Sequence, residues 1–409
     1  MSVLLKLKGE SRLYLGGYDT QFHEDDPFRT QSLKGLWRYW LRAYIAGAMY
    51  EAGLLQCKEG SDICEADPES LKEIVKRTGE LLGSQESASK FRIVVNKAQA
   101  TRKEDGFAAQ RIRLLSMGGK EERGRRKTSY GENAYAEIRV EKSPHVKSLD
   151  ENEMRIAIGS LLTALSLNGL GKGGRRGLGT FSVSVEGFEG DFLVNGKLDH
   201  GKLRELINET MESVRSYLNL KEGNPTEMPP IDCISKAKID LSSIDLSSTL
   251  PGVRAPIDLK EAPVFIVIRA KPRREKNLDE MVIELQDFFY RPGRSRRMGY
   301  RISNADHSED DITREKLAWF LGLPRMQKGT GYIYDGRRAS AIHLAVHEKE
   351  ALFTFFLSGD WPVKIDWRGR RKVNLRIDRS KVKKAYITSI SSLLSYLNKI
   401  GYESEVIYP

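Results

Sequence analysis

Two spacings of apolar residues alternate along the chain. In Val3-Leu4-Leu5-Lys6-Leu7-Lys8-Gly9 the pattern predicts a strand. Residues 14–29 hold Gly16, Gly17, Asp19, Asp25, Asp26 and Pro27 and predict a loop. Leu33, Leu36, Trp37, Trp40, Leu41, Tyr44, Ile45 and Ala48 then recur at steps of three and four, the mark of an amphipathic helix, with Ser32 placed to cap it. Loop and a short helix over 68–82 follow, then strands at 91–95 and 134–140. A second helix over 153–167 carries Ile156, Ile158, Leu161, Leu162, Leu165 and Leu167, and alternation over 180–185 predicts the next strand. Strand, helix, strand, strand, helix, strand is the order of a ferredoxin-like βαββαβ unit with insertions in its connections.

A helix over 200–220 follows, and residues 221–263, rich in Pro, Ser and Gly, read as a connection between domains. The second half repeats the scheme. It has a strand at 264–268, a helix over 278–290, a helix capped by Thr313 and running to Leu321, and strands at 340–347, 351–358 and 361–367. A long helix over 380–400 and a strand at 402–408 close it. The expected fold is α+β, with two tandem ferredoxin-like units. The domains divide as 1–220, a connection over 221–262, and 263–409.

The densest chemistry lies between the second helix and its strand, over residues 169–179. This stretch holds six glycines, the cations Lys172, Arg175 and Arg176, and no acid. Glycine lets backbone N–H groups approach a ligand without a Cβ in the way, which Gly171, Gly173, Gly174, Gly177 and Gly179 would permit. The cations suit phosphate oxygens. A dinucleotide fingerprint must follow a strand and open a helix, the reverse of the order here, and no phosphate loop of the G-x-x-x-x-G-K-[ST] type occurs. A helix-to-strand connector that holds an extended polyanion is the reading that remains, against an ordinary surface loop.

Charge agrees. Lys and Arg number 67 against 56 Asp and Glu, a net charge of +11 that favours anionic partners such as nucleic acid. On the first helix Lys34, Arg38 and Arg42 form a basic stripe, and Arg29 stands at its N-terminus, a natural anion site. Trp37 and Tyr39 are candidates for stacking, although Trp37 reads as core. Residues 117–131 form a basic, glycine-rich loop, and Arg291 to Arg297 a basic turn that includes Arg294 and Arg296. No apolar run approaches bilayer length, so a cytoplasmic protein with no membrane partner is expected. Cys57, Cys64 and Cys233 suggest neither a disulfide framework nor a zinc site.

Residues 29–43, reading Arg-Thr-Gln-Ser-Leu-Lys-Gly-Leu-Trp-Arg-Tyr-Trp-Leu-Arg-Ala, resemble the opening motif of one family of CRISPR effector subunits. That family, the first subunit of Cmr (type III-B) complexes, lies within the RAMP superfamily. The sequence Gly173-Gly174-Arg175-Arg176-Gly177-Leu178-Gly179 resembles the superfamily's glycine-rich loop. Gly322-Leu323-Pro324 with Arg337-Arg338-Ala339-Ser340 resembles a motif of the family's C-terminal half. The resemblance implies two domains akin to the RNA-recognition motif and a non-catalytic subunit without a cofactor. It also implies contacts with the 3′ part of the crRNA, with the paired target RNA and with other Cmr subunits. Arg337 and Arg338 join the expected RNA-binding residues on this basis.

Two alternatives follow from the residues. Some RAMP relatives cleave RNA with a histidine base or a loop aspartate, and here the first loop holds His23, Asp25 and Asp26, without a convincing partner set. His343-x-x-x-His347 lacks the H-E-x-x-H pattern and reads as structural. An end-cap that binds mainly protein would need apolar surface, for which Phe288-Phe289-Tyr290 and Trp319-Phe320 are candidates, although both pairs read equally as core.

Overall fold

The computed structural model describes residues 2–15, 22–104, 129–223, 225, 227–244, 260–289, 317–327, 330–369 and 372–409. The first sheet is built around β1 (Ser2–Gly9), whose Val3, Leu5 and Leu7 are fully buried at alternate positions. Helix α1 (Thr30–Glu51) and helix α2 (Pro68–Leu82) lead to β2 (Phe91–Glu104), which pairs with β3 (Ser129–Lys142). Helix α3 (Glu151–Leu167) returns the chain to β4 (Phe181–Glu186). The strand order is β2-β3-β1-β4, with antiparallel neighbours throughout. Two short strands, β5 (Leu193–Val194) and β6 (Lys197–Leu198), extend the edge beyond β4 before helix α4 (Leu203–Leu218). Asp150 and Glu153 close a capping box at the start of α3, and Asp67 caps α2 ahead of Pro68.

Helix α1 begins without such help. It starts at Thr30 behind Arg29, whose side chain makes no cap, so Ser32 lies inside the first turn instead of capping it.

Past β7 (Lys238–Asp240) and β8 (Glu261–Pro263), the second sheet repeats the first. Its strands are β9 (Phe265–Pro272), β12 (Ile342–Val346), β13 (Ala351–Phe356) and β16 (Tyr402–Tyr408). Their order is β12-β13-β9-β16, again antiparallel throughout. Helix α5 (Leu278–Gln286) follows β9, and helix α6 (Arg379–Lys399) precedes β16. Helix α5 ends at Gln286, short of the expected 290, and the described part of the next expected helix is a single 3-10 turn at Ala318–Leu321. Thr313 and Tyr290 lie outside the described residues. A further sheet was not expected. It consists of β10 (Arg325–Gln327), β11 (Thr330–Ile333), β14 (Lys364–Arg368) and β15 (Lys372–Arg376), in the order β10-β11-β14-β15.

Every residue of β12 and β13 is buried, which requires cover on both faces. Helices α5 and α6 pack on one side, while α3 touches β12 and β13 from the other. The Trp40 ring of α1 meets Phe265 and Phe356 of the same sheet. The helices of the first half therefore form a shared layer between the two sheets. Phe288, Phe289, Trp319 and Phe320 are all essentially buried, so they are core and offer no apolar docking surface. Cys57 and Cys64 form a disulfide, contrary to expectation, because the turn between them brings their Cα atoms to 4.8 Å. Cys233 is a buried free thiol.

Candidate functional site

The glycine loop leaves α3 at Asn168 and joins the second half of the chain before it reaches β4. The Gly177 amide donates to Leu344 O at 2.8 Å and the Leu344 amide to Arg175 O at 3.2 Å, which makes a short parallel bridge to β12. Arg176 drives a planar guanidinium into this seam. Nη1 donates to Ile342 O at 2.9 Å and Nη2 to Leu321 O at 3.3 Å, and the group lies 4.0 Å over the Phe289 ring. Arg176 is thus a clamp between the two halves. Gly171, Gly173, Gly177 and Gly179 all have positive φ, which an L side chain resists. Gly174 has ordinary φ, but a Cβ there would fall 2.1 Å from Gly169 O.

On the open side of the loop is a cleft of about 1050 Å³. Together with Tyr14 and Leu15, three segments far apart in sequence wall it. They are one face of α1 (Ser32, Gly35, Leu36, Tyr39), the loop from 168 to 176, and residues 321–326 with 337–340. Each wall belongs to one of the three motif segments singled out in the sequence. Leu323 and Arg338 exchange backbone hydrogen bonds at 2.8 and 3.1 Å, which fixes the third wall. Lys172, Arg175, Arg176, Arg325, Arg337 and Arg338 line the cleft, and no carboxylate does so among the described residues. The amides of Lys172, Gly174 and Arg176 are taken by the carbonyls of Tyr14, Gly171 and Gly173. Those of Gly171, Gly173 and Arg175 make no hydrogen bond among the described residues. Amides unspent in a glycine-rich turn suit an anion.

Behind the cleft a charged network holds it in shape. Tyr39 donates its hydroxyl to Asp232 Oδ2 at 3.0 Å, and Arg338 reaches Asp232 at 2.9 Å and Asp360 at 2.7 Å. Arg338 also lies 4.6 Å over the Trp361 ring. Burial works against its charge, but Asp232 and Asp360 outweigh that and raise its pKa. Arg338 is thus a structural cation, with its charge matched inside the protein. Burial, and then Asp232, hold the Tyr39 phenol well above its ordinary range. His343 is fully buried and 3.4 Å from the Asn168 amide. Burial, and then Arg175, Arg176 and Arg338, push its pKa well down, so it stays neutral beneath the loop.

The basic stripe of α1 is not part of this cleft. The lining positions 32, 35, 36 and 39 follow one helical face, and Lys34, Arg38 and Arg42 follow another. Arg38 donates to the carbonyls of Leu82 and Gly83 at the end of α2, at 2.8 and 3.2 Å. Arg29 pairs with Asp26 at 3.5 Å. Lys34, Arg38 and Arg42 therefore do not join the glycine loop in lining this cleft. Arg294, Arg296 and most of the basic loop at 117–131 lie outside the described residues. His23 and Asp26 are exposed and do not line the cleft. His347 bonds Glu10 and Ser166 O at 2.6 and 2.8 Å, a structural role as expected. Tyr39 was legible as a stacking candidate, whereas Asp232 and Arg325 carried no signal in the sequence.

Sheet order and cleft together define a class, a mixed α/β protein with antiparallel sheets and a glycine-rich cationic loop. Residues 6–182 match the model of the RAMP superfamily, so the resemblance to that superfamily holds for that part of the chain. Over the whole chain the fold is similar to that of Cmr1 from Pyrococcus furiosus in its apo form. The TM-score is 0.51 at 14% identity, covering 100% of this chain and 99% of that one. A chain of type III-B Cmr-beta bound to cognate target RNA aligns at a TM-score of 0.46 and 12% identity, covering 97% of this chain and 100% of that one. A second Cmr-beta structure, with target RNA, AMPPnP and single-stranded DNA, gives 0.49 at 12% identity, with 95% and 98% covered. Scores below 0.5 establish no fold. No curated protein sequence matches the chain. No described helix is long and apolar enough to cross a membrane.

Proposed function

We infer that this protein is a non-catalytic, RNA-binding subunit of a type III-B CRISPR (Cmr) effector complex, and that the cleft holds the backbone of single-stranded RNA. In that role it contacts the 3′ part of the crRNA and the target RNA paired with it, beside other Cmr subunits in the cytoplasm. Two ferredoxin-like units, 1–220 and 263–409, joined through 221–262, would carry the site, and their matching strand orders support this division. The observation that carries the reading is the cleft's charge. Lys172, Arg175, Arg176, Arg325 and Arg337 line it beside Arg338, whose charge Asp232 and Asp360 match, and among the described residues no carboxylate lines it. A phosphate backbone answers to that pattern, and binding by phosphate contacts is indifferent to sequence. The fold shared with Cmr1 supports the choice of complex.

The nuclease reading lacks such support. Asp26 is paired with Arg29, and neither His23 nor Asp26 faces the cleft. The test is fluorescence anisotropy of single-stranded RNA with the full chain across a salt series, with a cleavage assay beside it. Affinity falls steeply with salt, and the RNA stays intact. Affinity that is flat from low to physiological salt overturns the binding reading. Cleavage abolished by His23→Ala or Asp26→Ala overturns the non-catalytic one.

A further inference from the structure

Arg175 differs from its neighbours in how it is held. Arg176 and Arg338 spend their guanidinium groups on carbonyls and carboxylates inside the protein. The Arg175 guanidinium makes no hydrogen bond or ion pair among the described residues. Its fixed partner is the Tyr39 ring, 4.5 Å from its central carbon. Tyr39 is itself held at the other end, since its hydroxyl is on Asp232, which Arg338 and Ser358 grip at 2.9 and 2.8 Å. The result is a planar cation held over a rigid aromatic backing, half-exposed in the wall of the cleft.

A planar guanidinium held over a ring can turn a face to the cleft, and planar nucleobases stack on such faces. A phosphate ligand needs only a point charge, which the exposed Arg337 supplies nearby, and it gains nothing from an aromatic backing. We propose that Arg175 is a stacking platform for one unpaired nucleobase, with Tyr39 as the residue that positions it, while the loop amides and neighbouring cations take the adjoining phosphates. The ligand class is a single-stranded nucleotide splayed away from its neighbours. This rests on the reading of the cleft as an RNA site, and adds that the site engages a base as well as the backbone.

The experiment compares two probes on the full chain at fixed salt, a uniform single-stranded oligonucleotide and an abasic ribose-phosphate oligomer of equal length. Wild type should bind the base-bearing oligomer about tenfold more tightly. Arg175→Lys keeps the charge and loses the plane. It should shrink that preference to about twofold while leaving affinity for the abasic oligomer nearly unchanged. Tyr39→Phe keeps the ring and should keep most of the preference, whereas Tyr39→Leu should lose it. Because the Arg175 side chain makes no hydrogen bond among the described residues, Arg175→Gln serves as a second variant, with folding checked by thermal unfolding. Equal loss of affinity for both probes in Arg175→Lys, or no loss for either, overturns the platform and leaves the RNA site standing. If wild type binds neither probe, the RNA reading fails and this inference fails with it.

Discussion

Arg176 Nη1 lies 2.9 Å from the carbonyl oxygen of Ile342, a residue 166 positions further along the chain. The same guanidinium reaches Leu321 O and covers the Phe289 ring, while Gln286 donates to the Arg176 carbonyl at 2.6 Å. One residue therefore ties the glycine loop of the first half to β12, α5 and the 318–321 turn of the second. Arg176→Ala removes these charged hydrogen bonds and leaves carbonyls in the seam underpaired. The expected cost is about 2–3 kcal/mol of stability. Arg176→Lys should recover only part of it, because an ammonium cannot span two carbonyls and stack at once. Thermal unfolding of both variants checks this, and a melt unchanged in Arg176→Ala removes the clamp from the account.

Two glycines near the cleft should respond in opposite directions. Gly177 has φ of +79°, and a Cβ there would lie 2.6 Å from Val346 Cγ2. Gly177→Val should cost about 2–5 kcal/mol through left-handed backbone strain and crowding of β12. The crowding comes from Val346, inside the protein, so loss of fold precedes any loss of RNA binding. Gly35 sits in α1 with nothing within 4 Å of its missing Cβ. Gly35→Ala should stabilise by about 0.5–1 kcal/mol. Denaturant melts of the two variants decide both signs.

How much of this was legible in the sequence depends on what each residue faces. Val3, Leu5 and Leu7 alternate because β1 is buried at every second position, and that period is readable. In β12 and β13 every position is buried, so a strand is readable but the cover on its second face is not. The sheet containing β11 and β15 escaped because short strands with Gly331, Lys372 and Arg376 carry little period. The three motif segments were legible one by one. Their meeting in one cleft was not, and neither was the face of α1 that takes part, because Tyr39 and Arg38 are adjacent in sequence yet point to different neighbours. Asp232 lies in what reads as a linker, and only the fold brings it beneath Tyr39 and Arg338.

The Cys57–Cys64 bridge closes a turn that also carries contacts to the second half. Arg376 pairs with Asp62, and Arg379 donates to Ser61 O at 3.1 Å. Opening the bridge frees this turn in the unfolded chain. For so short a loop the expected loss is about 2–3 kcal/mol. Thermal melts with and without a thiol reductant, and of Cys57→Ser, should agree on it. A melt indifferent to reductant shows that the packing alone holds the turn.

A buried ionisable cluster joins the halves on another side. His347 Nδ1 meets Glu10 at 2.6 Å, the His200 ring lies 4.0 Å from that of His347, and Glu350 reaches His200 at 3.2 Å, with Arg269 and Lys271 each 3.9 Å from Glu350 and Glu405 beyond on Arg269. Burial opposes the charge of His347, but Glu10 outweighs it and raises the pKa above the ordinary 6.5. Burial likewise opposes the charge of Glu10, and His347 outweighs it and lowers the pKa below 4.5. Burial, and then His347, lower the pKa of His200, whose contribution therefore runs opposite to that of His347 and fades in acid. The His347 contribution is full below about pH 6.5 and is lost as pH climbs through its raised value. That of Glu10 is full above about 4.5 and is lost as pH falls through its lowered one. A double-mutant cycle of Glu10→Gln and His347→Gln isolates the pair from His200. Its coupling should be largest between those limits and shrink as pH climbs through the raised His347 value. Coupling that never falls as pH is raised excludes an ion pair.

The proposed RNA path runs along one face of α1 and not along the other. Arg337 is exposed and lines the cleft, whereas Lys34 and Arg42 carry the stripe that points away from it. If phosphates run through the cleft, Arg337→Ala removes one contact. It should weaken binding to all sequences alike and reduce the slope of log affinity against log salt by about one. Lys34→Ala and Arg42→Ala lower the net charge equally but take no cation from the path. Their slope should stay at the wild-type value, and their affinity should shift only by the small long-range field of one exposed charge, which salt screens within about 8–10 Å. Equal net charge in the three variants makes the comparison one of position alone. Anisotropy titrations at four or more salt concentrations give the slopes. A slope reduced as much by Lys34→Ala as by Arg337→Ala places the RNA along the outer stripe, and the cleft would then be a structural junction with no RNA in it.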